Sequence, residues 1–454
     1  MSDRDITDNY RHRSNPDEST SSKFAILTAR IVEDDAKEEI GDIGSRAHSD
    51  VIELMEKAEA IARALDETRE GKYPGRPRHP RSDALLFVAG AYTDLGEFER
   101  AKAIAPDLWE EDRSDISFMV SRDLALAGQI DRAVRETQGN TDALWLVAII
   151  CAKTDLAKAL EIASGLPEER KAKALSSIVR ERVLAQDLEG AATVAPKIRD
   201  DDERKEAEQW VMAGRLAAGD SDIESQLLNA GDKRRGLEGK LREILCVRVD
   251  AGDMGDAVRI LEALSDGRQR ALAYVHIAKR HLSDGKTRDC QEATESALTE
   301  TGRIDNPLWG LTMRAGLYRQ IAYLQIKNGQ REAAIRTVAL ARQAEEEHAE
   351  LFRRTTERGI LSRLNDLFLA TVMIEAGELR EGEKLATQED GTVLPEAIPM
   401  LVTGYIAQGD DDKAMSLTES VTDPEVQYLL YLRCAYGLWQ RDQEQKAANQ
   451  RMQR

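Results

Sequence analysis

Aromatic residues make up only 5% of this 454-residue chain. That is too few for the stacking platforms of a sugar-binding or single-stranded nucleic-acid groove. Cysteine is scarce as well. Cys151, Cys246, Cys290 and Cys434 lie far apart with no CxxC pair, which excludes a disulfide framework and a thiolate zinc site and predicts buried, reduced thiols. Basic residues number 64 against 83 acidic ones, a net charge of −19. Such a balance argues against binding to nucleic-acid phosphates or to an anionic membrane surface, and favours solubility and a basic or neutral partner. No apolar run is long enough to span a bilayer, and residues 1–22 lack the hydrophobic stretch of a signal peptide, so no membrane insertion and a cytoplasmic location are expected. HExxH, the nucleophile elbow and the phosphate-binding glycine loop are all missing. No catalytic residue, metal ligand or cofactor is therefore assigned.

What the chain does have is a short pattern that returns about every 32 residues. An aliphatic residue is followed eight positions later by a turn residue, and five positions after that by a small one. The turn positions are Gly96, Gly128, Thr154, Gln186, Gly219, Gly252, Gly285, Gly329, Gly377 and Gly409. The aliphatic positions are Val88, Val120, Leu146, Ile178, Val211, Ile244, Ile277, Ile321, Leu369 and Leu401. The small positions are Ala101, Ala133, Ala159, Ala191, Ala257, Cys290, Ala334, Gly382 and Ala414, with Glu224 as the exception. A period of this length means stacked supersecondary units rather than one closed globule. The pattern describes an αα-hairpin: a buried stripe on the first helix, a left-handed residue ending it, and a small residue letting the second helix lie close.

In its clearest copy, Tyr92, Leu95, Gly96, Phe98 and Ala101, the unit resembles a tetratricopeptide repeat. The resemblance covers most of residues 83–440 and is divergent. The family's early Trp position holds Leu85, Ser117 and Ala143 in the first three units, and the closing Pro is irregular. It implies an all-α, right-handed α-solenoid of about ten stacked helical hairpins. The two-Lys, Asn-rich clamp of chaperone-binding relatives is not matched, so recognition of chaperone tails is not expected.

The organisation follows from composition. Residues 1–22 are expected as a disordered polar tail and 23–70 as an N-terminal helical extension that caps the first repeat. Within it, Val51, Met55, Ala58, Ala62 and Leu65 share one stripe. Residues 71–82 are a Pro- and Arg-rich linker, read as a stiff spacer or as a ligand for a proline-recognising domain or an acidic patch. The repeats fill 83–454. The unit between Gly128 and Thr154 is compressed, those over 307–376 are stretched, and the polar stretch near Gly437 to Asn449 is expected as a C-terminal cap.

Two basic rows are the candidate partner-binding residues. Four positions before the turn, successive units carry Arg182, Arg215, Arg248 and His281. Stacking places equivalent positions side by side, and a row of cations suits a carboxylate-bearing or phosphorylated peptide. The competing expectation is that each Arg pairs with a neighbouring acid. Two positions earlier lie Arg122, Arg180 and Lys279. The acidic runs Asp200–Glu203 and Asp410–Asp412 fall where helix caps belong rather than where a metal site is needed. His276 and His281, five apart, do not share a helix face. The expected function is a non-catalytic scaffold or adaptor that binds a peptide or helix of another protein. Two alternatives are a regulatory solenoid sensing a small anionic ligand, and an α/α-toroid enzyme, which needs a closed ring and a central pair of carboxylates.

Overall fold

The computed structural model describes residues 46–66, 79–220, 231–304, 310–351, 370–374, 377–388 and 391–453. The expected tail, most of the linker, Glu224, Leu369 and Trp309 lie outside the described residues. The helices are α1 (Arg46–Arg63), α2 (Pro80–Asp94), α3 (Phe98–Ile104), α4 (Arg113–Leu126), α5 (Ile130–Glu136), α6 (Thr141–Cys151), α7 (Leu156–Ser164), α8 (Glu168–Leu184), α9 (Leu188–Val194) and α10 (Asp201–Ala217). They continue as α11 (Gly231–Asp250), α12 (Met254–Ala263), α13 (Gly267–Ser283), α14 (Thr287–Gly302), α15 (Gly310–Lys327), α16 (Arg331–Leu351), α17 (Leu379–Ala386), α18 (Ile398–Gln408), α19 (Asp411–Ser420) and α20 (Pro424–Gln453). A short helical segment, 370–374, precedes α17. Among the described residues the one piece of β structure is an antiparallel bridge between Thr387 and Val393. The protein is an all-α solenoid of stacked hairpins.

All ten expected turn positions lie between helices, and nine of them have positive φ, Gln186 (φ 66) included. In each of those nine the N–H after the turn residue donates to the carbonyl five residues earlier, from Glu97 to Tyr92 through Asp410 to Tyr405, at 2.7 to 3.1 Å. That bond satisfies a carbonyl the helix end would otherwise leave open, and it needs the left-handed residue. Thr154 is the exception. Its turn closes one residue shorter, with the Asp155 N–H on the Cys151 carbonyl at 2.9 Å. The buried stripe of α6 shifts accordingly: Val147 is buried and Leu146 only half-buried, whereas Val88, Val120, Ile178, Ile244, Ile277, Ile321 and Leu401 are all buried as expected.

The small position sets how near the second helix comes. Ala101, Ala133, Ala159, Ala191, Ala257, Cys290, Ala334 and Ala414 are essentially inaccessible. At Gly382 an added Cβ would lie 2.4 Å from Ile374 Cγ1 and 3.0 Å from the Ala370 carbonyl. The second helix is therefore seated directly on the backbone of the first.

Each unit's first helix also packs on the first helix of the next: α2 on α4, α4 on α6, α6 on α8, α8 on α10, α10 on α11, α11 on α13 and α13 on α15. From α15 and α16 the core passes to Val372 and Met373, beside Ala322, Ile326, Ala334 and Val338. Ile374 in turn lies against the backbone of Gly404 in α18. Then α18 packs on α20, and α20 packs on both α1 and α2. The row of helices returns to its start, and the described helices close into a ring.

The closing unit is made from both ends of the repeat region. Helix α20 lies along α1 as the two helices of the α15–α16 hairpin lie along each other, and α1 packs on α2 as α14 packs on α15. So α20 supplies the first helix of the last hairpin and α1 the second. The stripe Val51, Met55, Ala58, Ala62 and Leu65 is buried there, with Leu54. Each large apolar side chain in such a stripe stabilises the closure by roughly 1.5–3 kcal/mol. The stretch from Gly437 to Asn449 belongs to this same helix, so the two terminal segments cover each other.

Candidate functional site

The four ladder residues are the ones whose carbonyls accept the turn-closing bond: Asp187 N–H to Arg182, Asp220 to Arg215, Asp253 to Arg248 and Lys286 to His281. Each sits in the last turn of its helix, where positive charge complements the helix dipole. Their side chains go to different places. Arg182 donates through Nε to Asp187 Oδ2 at 2.8 Å and through Nη1 to the Ala152 carbonyl of the preceding unit at 3.1 Å. Asp187 also caps α9 by accepting from the Gly190 N–H at 2.8 Å. That backbone N–H, and then Arg182, hold its carboxyl below the usual range. Arg248 is 9% exposed. Burial pushes its guanidinium pKa down, while Asp256 and Asp253 oppose the shift. His281 is half-buried, and its Nδ1 is shielded from solvent without a hydrogen-bond partner. The Arg215 side chain is exposed, with no ion pair or hydrogen bond to a described residue. At Arg182 the carboxylate comes from its own hairpin and not from the neighbouring unit.

The second row divides in the same way. Arg180 donates to Glu181 at 3.0 Å and pairs with Glu243 of α11, two first helices further on. Its guanidinium also lies 5.5 Å from the centre of the Trp210 ring, with the Lys240 ammonium 5.6 Å from the same ring. Trp210 thereby joins three consecutive first helices, α8, α10 and α11. Lys279 is exposed and without a described partner.

Arg122 belongs to the seam of the ring. Its Nη2 donates to Asp94 Oδ1 at 2.8 Å and its Nε to Asp123 Oδ1 at 2.6 Å. The Tyr436 hydroxyl of α20 donates to the other Asp94 oxygen. Three helices, α2, α4 and α20, thus meet on one carboxylate. Burial, reinforced by the Asp123 charge, pushes Asp94 up to about 6 despite Arg122 and Tyr436. Burial and the Asp94 charge likewise push the Tyr436 phenol well above its ordinary range. A closed ring is one of the two features an α/α-toroid enzyme requires; the carboxylates brought together here are bound to Arg122. Sequence reasoning missed this cluster. Its signal was Gly437, which falls against Ile406 as Gly404 falls against Ile374 and Gly214 against Val183. That match continues the repeat register through α20 and puts Tyr436 at the same unit position as Arg122.

A cavity of about 430 Å³ lies where α13 begins, lined by Leu264, Ser265, Gly267, Arg270, Glu300 and Arg303. Arg270 Nε and Arg303 Nη1 both reach Glu300 Oε1, at 3.2 and 3.1 Å, so two guanidiniums share one carboxylate. The acidic runs serve as caps: Asp200 accepts from the Asp202 and Glu203 N–H groups, and Asp410 from that of Lys413. Cys151, Cys290 and Cys434 are buried free thiols, and Cys246 is half-buried. His276 is held by Asp250 at 2.7 Å. Among the described residues no group of His, Cys, Asp and Glu is arranged to hold a metal ion, and no helix is long and apolar enough to cross a membrane.

No protein-family model matches the chain, and no curated protein matches it significantly. A solved structure described as "Circular tandem repeat protein with novel repeat topology and enhanced subunit contact surfaces" is similar over 90% of this chain and 98% of its own, at 14% identity and a TM-score of 0.23. The ring described above rests on the contacts of this chain alone.

Proposed function

We propose that this ring of hairpins is a non-catalytic, cytoplasmic interaction scaffold of tetratricopeptide-like units that holds a peptide or helix of a partner protein. One observation carries the reading. The aliphatic and small core positions repeat from unit to unit, whereas the position six residues before the turn varies in residue type and in exposure, buried at Gly90, Ala148 and Ala213 and open at Lys279. Six residues before the turn the chain carries Gly90, Arg122, Ala148, Arg180, Ala213, Cys246, Lys279 and Tyr323 in successive units. A uniform core under an individual surface is what an array needs in order to recognise one irregular partner. Arg215 and Lys279 are the exposed cations best placed to meet a partner carboxylate. Double charge reversal, Arg215→Glu with Lys279→Glu, is expected to abolish capture of proteins that the wild-type ring retains, with helicity unchanged by circular dichroism. Equal capture by both proteins would remove these residues from the binding surface.

A second reading, sensing of a small anion, draws on the cavity at Arg270 and Arg303. It predicts that inorganic phosphate raises the wild-type melting temperature and leaves that of Arg270→Ala/Arg303→Ala unchanged. An equal shift in both proteins would exclude it.

A further inference from the structure

Opening the ring requires α20 to leave α2, and the Tyr436–Asp94 hydrogen bond spans that boundary. Helix α1 is tied separately to the first hairpin: Glu59 accepts from the Tyr92 hydroxyl at 3.0 Å, Glu56 from Arg100 at 2.7 Å, and Arg63 pairs with Asp107. The groups facing Asp94 are Arg122 and Asp123 from α4 and Tyr436 from α20. On the other elements packed against α2, Glu59 of α1 and Arg100 of α3 are engaged with Tyr92. The seam therefore sets two half-buried carboxylates against a single half-buried guanidinium. An excess negative charge there is costly, because half-burial leaves it only part of its water and Arg122 is the one cation that faces Asp94.

We propose that Asp94 is a proton-sensitive latch of the ring, which holds α20 to α2 more firmly when its carboxyl is protonated than when it is ionised. With the proton on, the cluster is neutral, and the carboxyl still accepts from Tyr436 and Arg122. With the proton off, the cluster carries one uncompensated charge that separation of α20 relieves by letting water in. The closed form thus takes up the proton at higher pH than the open form does, in accord with the upward displacement of Asp94 to about 6. Acidification closes the ring, and raising the pH through 6 favours opening. The latch does not depend on which partner the scaffold binds.

The test is amide hydrogen exchange on the full chain between pH 5 and 8, with rates corrected for intrinsic chemical exchange. Helix α13, away from the seam, serves as the internal reference. In the wild type, protection of residues 430–440 is expected to fall roughly tenfold relative to α13 between pH 5 and pH 8. Wild-type protection that stays flat overturns the proposal. In Asp94→Asn the fall is expected to vanish; an undiminished fall in this variant also overturns it. If Asp94→Asn loses protection in α13 as well, Tyr436→Phe takes its place. That variant keeps the carboxylates and is expected to lower α20 protection at every pH while retaining the fall. Loss of the fall in Tyr436→Phe overturns the proposal.

Discussion

The hydroxyl of Tyr436 donates to the carboxylate of Asp94 across 342 residues of sequence, and Arg122 holds the other oxygen of the same carboxylate at 2.8 Å. Removing the cation should therefore cost more than removing either partner. Arg122→Met leaves Asp94 and Asp123 facing each other without compensation, a loss of about 3–5 kcal/mol for a pair of this kind. The loss should depend on pH. Asp94 is already raised to about 6 from 3.8. Its stabilising contribution is thus complete below the ordinary carboxylate value and is lost as the pH rises through 6. Without Arg122 the Asp94 carboxyl moves higher still. Urea denaturation should show the variant far less stable than wild type at pH 7.5 and closer to it at pH 5. A deficit independent of pH would mean that Arg122 acts by packing alone.

The split hairpin predicts a long-range effect from a local change. Met55 is fully buried on α1. Met55→Ala should destabilise the closing unit by about 2–5 kcal/mol, as truncation of a core residue does. The loss should appear first in α20, almost four hundred residues away in sequence, as lowered amide protection, with α8 and α10 unaffected. Protection lost only around α1 would mean that α20 is held by something other than the first helix.

Most of the hairpin geometry was legible because it is local. The left-handed turn, the buried aliphatic residue and the small residue on the second helix all lie within thirteen residues of one another, so each unit carries its own evidence. Leu146 shows the limit. Without a left-handed residue at Thr154 the turn shortens by one, and burial moves to Val147. The closure was not legible from any single unit. Pairing of 46–63 with 424–453 is set by two apolar stripes at opposite ends of the chain, and periodicity does not say which distant stripes meet. The basic ladder is a row in sequence, at one position of four successive units. Its charges are dispersed because Arg182 has Asp187 at hand five residues on, while Arg248 is buried.

Gln186 is the one non-glycine residue with positive φ among the nine left-handed repeat turns. A side chain there opposes a conformation that glycine adopts freely, at a cost of about 1–2 kcal/mol. Gln186→Gly should recover part of this, about 1 kcal/mol, after the larger backbone entropy lost by glycine on folding. The check is a rise in melting temperature with the circular dichroism spectrum preserved. The reverse change, Gly285→Gln, should lower it by a similar amount. An unchanged melting temperature for Gln186→Gly would mean that the turn relaxes around the glutamine without strain.

Close approach of helices makes the opposite prediction at other glycines. At Gly382 a methyl group would meet Ile374 Cγ1 at 2.4 Å and the Ala370 carbonyl at 3.0 Å. The side chain can rotate away, but the carbonyl belongs to a helix backbone and cannot. Gly382→Ala should therefore push α17 off the 370–374 segment and cost about 1–3 kcal/mol, the usual range for overpacking. Gly239, within α11, has open space where its Cβ would stand. Gly239→Ala should gain up to about 1 kcal/mol from helix propensity alone. Measured side by side by thermal melting, the two substitutions should shift the transition in opposite directions. A stabilising Gly382→Ala would show that the second helix of this unit has room to move, and that its small residue is not what seats it.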